Sequence, residues 1–151
     1  MNAFTTDILK QKALEWRAVC LGHFARIEEE VAITLGWIKA PLRLNRNPSR
    51  RTEQLINWLR EHHPAEISIL ELLRDWHDKR QERNAIVHGR IATSAAAGES
   101  FELIMLEIEG GRPIFATKPY SLSEATGVER ELKRLSQTLY AKLRVFRSEN
   151  T

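Results

Sequence analysis

Arg83 and His88 are the residues whose types and spacing most strongly suggest chemistry. They lie in the octet Glu82 to Gly89, which reads Glu-Arg-Asn-Ala-Ile-Val-His-Gly. Arginine is a permanent cation whose fork of donors fits phosphate oxygens, and a histidine side chain exchanges protons near neutral pH. An Arg and a His at this spacing arise easily by chance, but Asn84 and Gly89 directly after them make the pattern much more specific.

The octet is predicted to lie in the third of four helices, which begins at Pro64 and ends at His88, where Gly89 stops it. On one continuous helix Arg83 and His88 are about 140° apart, so they flank a groove rather than share a face. Asn84 lies one turn before His88 and can orient its ring by hydrogen bonding.

Two arginines of this helix, Arg80 and Arg83, fall on the apolar arc set by Leu73 and Trp76. Burying a guanidinium without a partner costs on the order of several kcal/mol of folding free energy. These side chains are therefore expected to meet a carboxylate, a cleft or another subunit.

The other helices are predicted from apolar residues at steps of three and four. The first ends before Pro41 and has a stripe made of Leu9, Ala13, Trp16, Cys20, Phe24, Ile27, Val31, Leu35 and Ile38. The second runs from about Thr52 to His62. The last begins at a capping box formed by Ser121 and Glu124.

Between the third and last helices the pattern changes to that of strands. Phe101 to Ile108 and Pro113 to Thr117 predict a β-hairpin around the turn Glu109 to Arg112. The fold class is therefore mainly α, a bundle of about four helices with a small hairpin inserted at about residues 91–120. Small residues between Ala92 and Ser100 predict a linker, and nothing in the hairpin is expected to carry chemistry.

Length and composition predict one domain over residues 1–151, with 42% apolar and 28% charged residues. Cys20 is the only cysteine, which excludes an internal disulfide and a cysteine-based zinc site and favours a small core residue. We expect no metal and no cofactor. An apolar leader and a membrane-spanning run are both missing from the sequence, which predicts a cytoplasmic protein without a membrane partner.

The net charge of +3 comes mainly from arginine and makes nucleic acid a plausible partner. A stretch from Lys39 to Thr52 contains no acidic residue and includes Lys39, Arg43, Arg46, Arg50 and Arg51. This basic loop is either a solvated connector or an arm that follows phosphates beside a cleft.

From the residues alone, two interpretations of the octet remain open. In the first, His88 exchanges protons with a ribose 2′-hydroxyl and a leaving oxygen while Arg83 binds the phosphate, which suits RNA cleavage without a metal. In the second, Arg83 pairs with an acid of the first helix, such as Glu28 or Glu30, and His88 only caps its helix.

Residues Arg83 to Gly89, at the end of the third helix of a small bundle, resemble the Arg-X4-His signature of the HEPN superfamily. The resemblance implies a metal-independent endoribonuclease that dimerises through the third-helix motif region, with His as acid and base and Arg as phosphate ligand. Members include toxins of toxin-antitoxin pairs and phage-defence proteins. Toxins neutralised by adenylylation often carry Tyr two residues after the His, whereas this chain has Arg90.

We therefore predict a cytoplasmic HEPN ribonuclease, with Arg83 and His88 catalytic, Asn84 orienting, RNA and a second copy as partners, and an antitoxin protein as a further partner. The predicted RNA-binding residues are Arg80, Arg90, Arg43, Arg46, Arg50 and Arg51. The alternatives are a HEPN binding module without catalysis and a helical interaction protein.

Overall fold

The computed structural model describes residues 3–40, 47–93 and 99–150, which are mainly helical with a small antiparallel sheet. Its elements in chain order are α1 (Ala3–Trp37), α2 (Pro48–His62), α3 (Ile67–Asp78), α4 (Arg80–His88), β1 (Arg90–Thr93), β2 (Ser100–Glu109), β3 (Arg112–Ser121) and α5 (Leu122–Glu149). Among the described helices, none combines the length and apolar character needed to cross a bilayer.

The chain folds into two compact units. The first unit consists of Met1–Gly22 and Gln81–Leu132, and the second unit consists of His23–Arg80 and Lys133–Thr151. The long helices α1 and α5 each contribute one part to both units.

In the first unit, Trp16 is the centre of an aromatic cluster between α1 and the sheet. Its ring centroid lies 5.2 Å from that of Phe101 and 5.1 Å from that of Tyr120. Its indole N–H donates to the carbonyl oxygen of Ala125 at 2.7 Å, so the buried indole keeps a hydrogen-bond partner. The strand order is β1-β2-β3, so β3 is an edge strand. Proline is tolerated in an edge strand because no further strand pairs with its outer side, which explains Pro113 and Pro119 in β3.

In the second unit, Phe146 packs among Trp37, Trp58 and His63, with ring centroids 5.8, 6.3 and 5.1 Å away. Beside this cluster, Arg147 donates through Nη1 to Glu30 Oε2 at 3.1 Å. Glu30, one of the acids considered as a partner for Arg83, is therefore held by a different arginine.

Several element predictions are confirmed. The apolar stripe of α1 is buried from Leu9 to Leu35, and Ile38, its last predicted member, lies just beyond the helix and is half-buried. The N–H of Glu124 donates to Ser121 Oγ at 3.0 Å, which is the cap predicted for the last helix. The hairpin is present, and Gly110 and Gly111 turn it with φ values of 58° and 77°, a conformation that favours glycine.

The predicted start of the second helix was a turn late. Asn47 caps α2 by accepting the N–H of Arg50 at 3.0 Å, and Pro48 occupies the first helical position. Both residues are favoured there because the first N–H groups of a helix have no partner within it. Arg50 and Arg51 thus belong to α2 rather than to a basic loop.

The prediction of one third helix from Pro64 to His88 was wrong. It is two helices, α3 and α4, separated at Lys79, whose N–H bonds to the carbonyl oxygen of Trp76 at 3.1 Å in a tighter turn. Because of this turn, side-chain directions counted from Leu73 at about 100° per residue no longer hold for the residues after Lys79. Arg80 is consequently exposed and Arg83 is half-buried, so neither lies on a buried arc.

The first strand, β1, was not predicted. It pairs antiparallel with β2, from Arg90 opposite Ile104 to Thr93 opposite Phe101. The sequence Arg-Ile-Ala-Thr is too short for a strand period to be visible. Two residues of the predicted linker, Ala92 and Thr93, belong to this strand, and residues 94–98 lie outside the described residues.

Candidate functional site

The candidate site lies in the first unit, where α4 carries Arg83, Asn84 and His88. The helix is continuous across the three residues and ends at His88, and the N–H of Gly89 donates to the carbonyl oxygen of Ala85 at 2.7 Å. In this geometry Arg83 and His88 are about 140° apart around the axis and about 7.5 Å apart along it. Asn84 and His88 are exposed.

A hydrogen bond turns the Arg83 side chain around the helix. Its Nη1 donates to Asn84 Oδ1 at 3.2 Å. Asn84 projects about 40° from the direction of His88, so this contact moves the guanidinium from its own face toward that of the histidine. We predicted that Asn84 orients the His88 ring, but no hydrogen bond joins these two residues in the described part of the chain. The Asn84 side chain accepts from Arg83 instead.

Gly89 is needed at the end of α4 because the backbone is crowded there. A Cβ on Gly89 would lie 2.4 Å from the carbonyl oxygen of Ala85 and 3.2 Å from Leu103 Cβ. The helix ends at His88, so the stop predicted at Gly89 is confirmed. Because the φ of Gly89 is not positive, glycine is needed there for close packing and not for a left-handed conformation. Ala85 belongs to the last turn of α4, and Leu103 belongs to β2, which pairs with β1 from the next residue onward.

Replacing Gly89 with alanine is therefore expected to destabilise the protein by about 1–3 kcal/mol, the usual cost of an added group in a packed site. Gly127 on α5 is the matched control, because a Cβ there meets nothing within 4 Å. Gly127→Ala is expected to change stability by at most about 1 kcal/mol, in the stabilising direction. Urea unfolding compares the two variants, and equal effects would contradict the packing argument.

Arg17 on α1 holds the junction between α4 and β1. Its guanidinium Nη2 donates to the carbonyl oxygen of Gly89, the residue that follows His88. Desolvation by burial lowers the pKa of Arg17 below the ordinary arginine value. This role could not be predicted, because Arg17 is next to Trp16 of the apolar stripe and no local pattern connects it to a residue 72 positions away.

Glu82, the residue before Arg83, is anchored by two residues of β3. Its Oε2 accepts the Tyr120 hydroxyl at 3.0 Å and forms an ion pair with Lys118 Nζ at 2.9 Å. Burial raises the pKa of Tyr120 well above its ordinary range, and the negative charge of Glu82 adds to the shift. β3 of the hairpin thus fixes the helix that bears the candidate site, a support that the sequence pattern did not predict.

Cys20 is buried, which confirms its prediction as a core residue. Burial raises the pKa of its thiol to about 12, and the charges of Glu129 and Glu82 act in the same direction. The thiol therefore stays protonated near neutral pH and is a poor nucleophile there.

The described members of the predicted RNA-binding set are divided between the two units. Arg90 is exposed at the start of β1 in the first unit. Arg80 belongs to the second unit and donates through Nη1 to the carbonyl oxygen of His77 at 3.1 Å. Arg50 is exposed and Arg51 is half-buried in the first turn of α2. Arg43 and Arg46 lie outside the described residues.

No family model matches this chain, and no curated protein or solved structure is significantly similar to it. Within the residues that the structure describes, no group of three or more His, Cys, Asp and Glu side chains is placed to hold a metal ion. The candidate site is accordingly defined by Arg83, Asn84 and His88 and by the residues that position them.

Proposed function

We propose that this chain is a metal-independent endoribonuclease of the HEPN type, in which Arg83 and His88 act on one phosphodiester. The observation that carries the proposal is the hydrogen bond from Arg83 Nη1 to Asn84 Oδ1, 3.2 Å long. It brings the phosphate-binding fork toward the face of an exposed histidine at a helix end, and the anchors Arg17 and Glu82 fix that helix on both sides of the pair.

In the proposed reaction, His88 accepts the proton of a ribose 2′-hydroxyl, and the 2′-oxygen attacks the adjacent phosphorus. The bond from phosphorus to the 5′-oxygen breaks, and this oxygen takes up a proton from an imidazolium. Arg83 donates to the phosphate oxygens, whose charge increases in the transition state. The products are a 2′,3′-cyclic phosphate and a 5′-hydroxyl.

The two side chains start on different faces of one helix, which favours a site completed by a second copy of α4. A homodimer would place the Arg83 of one copy and the His88 of the other on the same phosphate, or use both histidines as the acid and the base. We further propose a role as a toxin or in phage defence, held in check by an antitoxin protein.

The experiment is RNA cleavage in EDTA, with end-labelled RNA and a matched strand that carries 2′-deoxy sugars. The RNA is expected to be cut to 2′,3′-cyclic phosphate and 5′-hydroxyl ends, and the 2′-deoxy strand is expected to remain intact because it lacks the nucleophile. Cleavage of the deoxy strand, or 3′-hydroxyl products, would contradict the mechanism. Tight RNA binding without cleavage would instead favour a binding module.

A further inference from the structure

The positive charge of the protein is concentrated in the second unit. This unit has fifteen Lys and Arg residues against ten Asp and Glu, whereas the first unit has eight against ten. The candidate cleavage residues Arg83 and His88 therefore lie in a unit with net negative charge. A long polyanion such as RNA is attracted more strongly by the second unit.

Within the second unit, α5 carries one of the stretches that are rich in basic residues and free of acidic ones. Residues 133–147 include five Lys and Arg and no Asp or Glu. One face of the helix, which we call the α5 stripe, is formed at steps of four, three and four by Lys133, Gln137, Tyr140 and Arg144. Its lysine, glutamine and arginine are exposed, and the stripe is about 16 Å long.

Two guanidinium groups are held at the Tyr140 ring of this stripe. The Cζ atoms of Arg26, on α1, and Arg144 lie 5.0 Å and 5.1 Å from the ring centroid. Arg144 Nη1 also donates to the Tyr140 hydroxyl at 2.5 Å. The ring attracts both cations and limits their movement, so less entropy is lost when they bind a ligand.

The two cations also repel each other. Each lies about 5 Å from one ring, so they are within about 10 Å of each other, the range over which exposed charges interact at 0.1 M ionic strength. An anion bound close to both groups relieves this repulsion. Guanidinium groups bind phosphate oxygens in a forked geometry, and Lys133 supplies a further cation along the same face.

We propose that the α5 stripe, together with Arg26, binds the sugar-phosphate backbone of single-stranded RNA; the choice of RNA as ligand rests on the proposed function. Such binding is independent of base sequence, because its contacts are to phosphates. The stripe would hold the strand, while cleavage depends on the separate Arg83 and His88 site.

The test is fluorescence anisotropy of the full chain with a labelled single-stranded 2′-O-methyl RNA, which cannot be cut through a 2′-hydroxyl. The double variant Arg26→Gln/Arg144→Gln is expected to bind at least about tenfold more weakly. The negative slope of log K against log salt is expected to become shallower by about 1.4, since each lost phosphate contact removes about 0.7. The control Arg60→Gln/Arg74→Gln removes the same charge from exposed residues of α2 and α3 and is expected to bind with nearly unchanged affinity.

Equal weakening by the two double variants would overturn the proposal, because net charge alone would then explain binding. Unchanged binding by the stripe variant would overturn it as well, as would a preference for anionic phospholipid vesicles over RNA. Circular dichroism and thermal unfolding check that both variants are folded. Stripe-dependent binding by a protein that does not cleave RNA would contradict the proposed function and support the α5 stripe as a binding site. Cleavage without stripe-dependent binding would support the proposed function and contradict the α5 stripe proposal.

Discussion

Replacing His88 with alanine is expected to slow RNA cleavage by about 10²- to 10⁴-fold, the usual contribution of a positioned acid or base. His88 is exposed, so the protein should keep its stability. The measurement is the single-turnover rate in EDTA with enzyme in excess, together with thermal unfolding of the same preparation. His62→Ala is the matched control, because His62 is also exposed and is also the last residue of its helix, α2.

The control is expected to cleave at the wild-type rate. A His88→Ala variant that is as active as wild type would refute the assignment of the histidine, and an equal loss in His62→Ala would show that the effect is not specific to the site. Arg83→Gln and Asn84→Ala provide a second check. If Asn84 acts through its hydrogen bond to Arg83, their rate losses should not add in the double variant.

Replacing Arg147 with leucine is expected to lower the free energy of unfolding by about 3–5 kcal/mol, because it leaves the carboxylate of Glu30 buried without its partner. Glu30 is only 6% exposed, and Arg147 also donates to Thr34 Oγ1 at 2.8 Å. Urea unfolding measures the change. The contact lies in the second unit, so the loss is one of stability and not of a catalytic group.

The double variant Glu30→Leu/Arg147→Leu distinguishes two causes of the lost stability, the unpaired buried charge and the lost packing. Removing both partners avoids the unpaired charge, so this variant is expected to recover most of the stability that the single variant loses. Equal destabilisation of the single and double variants would contradict the explanation. It would assign the effect to the lost contacts of the arginine stem.

The elements that follow local periodicity could be predicted from the sequence. The α1 stripe, the Ser121 cap and the hairpin each depend on residues that are close in the chain, where side-chain spacing and capping chemistry determine the structure. The break at Lys79 interrupts a pattern that looks continuous, and a single 3₁₀-type turn leaves no mark on apolar spacing.

The supports of the candidate site depend on distant residues and were missed for that reason. Arg17 reaches Gly89, and Tyr120 and Lys118 reach Glu82, through contacts that the topology of the first unit creates. The octet could identify Arg83, Asn84 and His88, but the direction of the Arg83 side chain depends on a rotamer and its hydrogen bond. The residue types in the octet do not determine which rotamer Arg83 adopts.

The crowding at Gly89 also bears on how proteins related to this chain should be compared. Because a Cβ there meets the carbonyl oxygen of Ala85, the fold alone is expected to preserve glycine at this position in descendants that have lost any activity. A search for active members that gives weight to the glycine would therefore collect inactive ones as well. The substitutions that separate the two groups are expected at Arg83 and His88, the residues that we propose act on RNA.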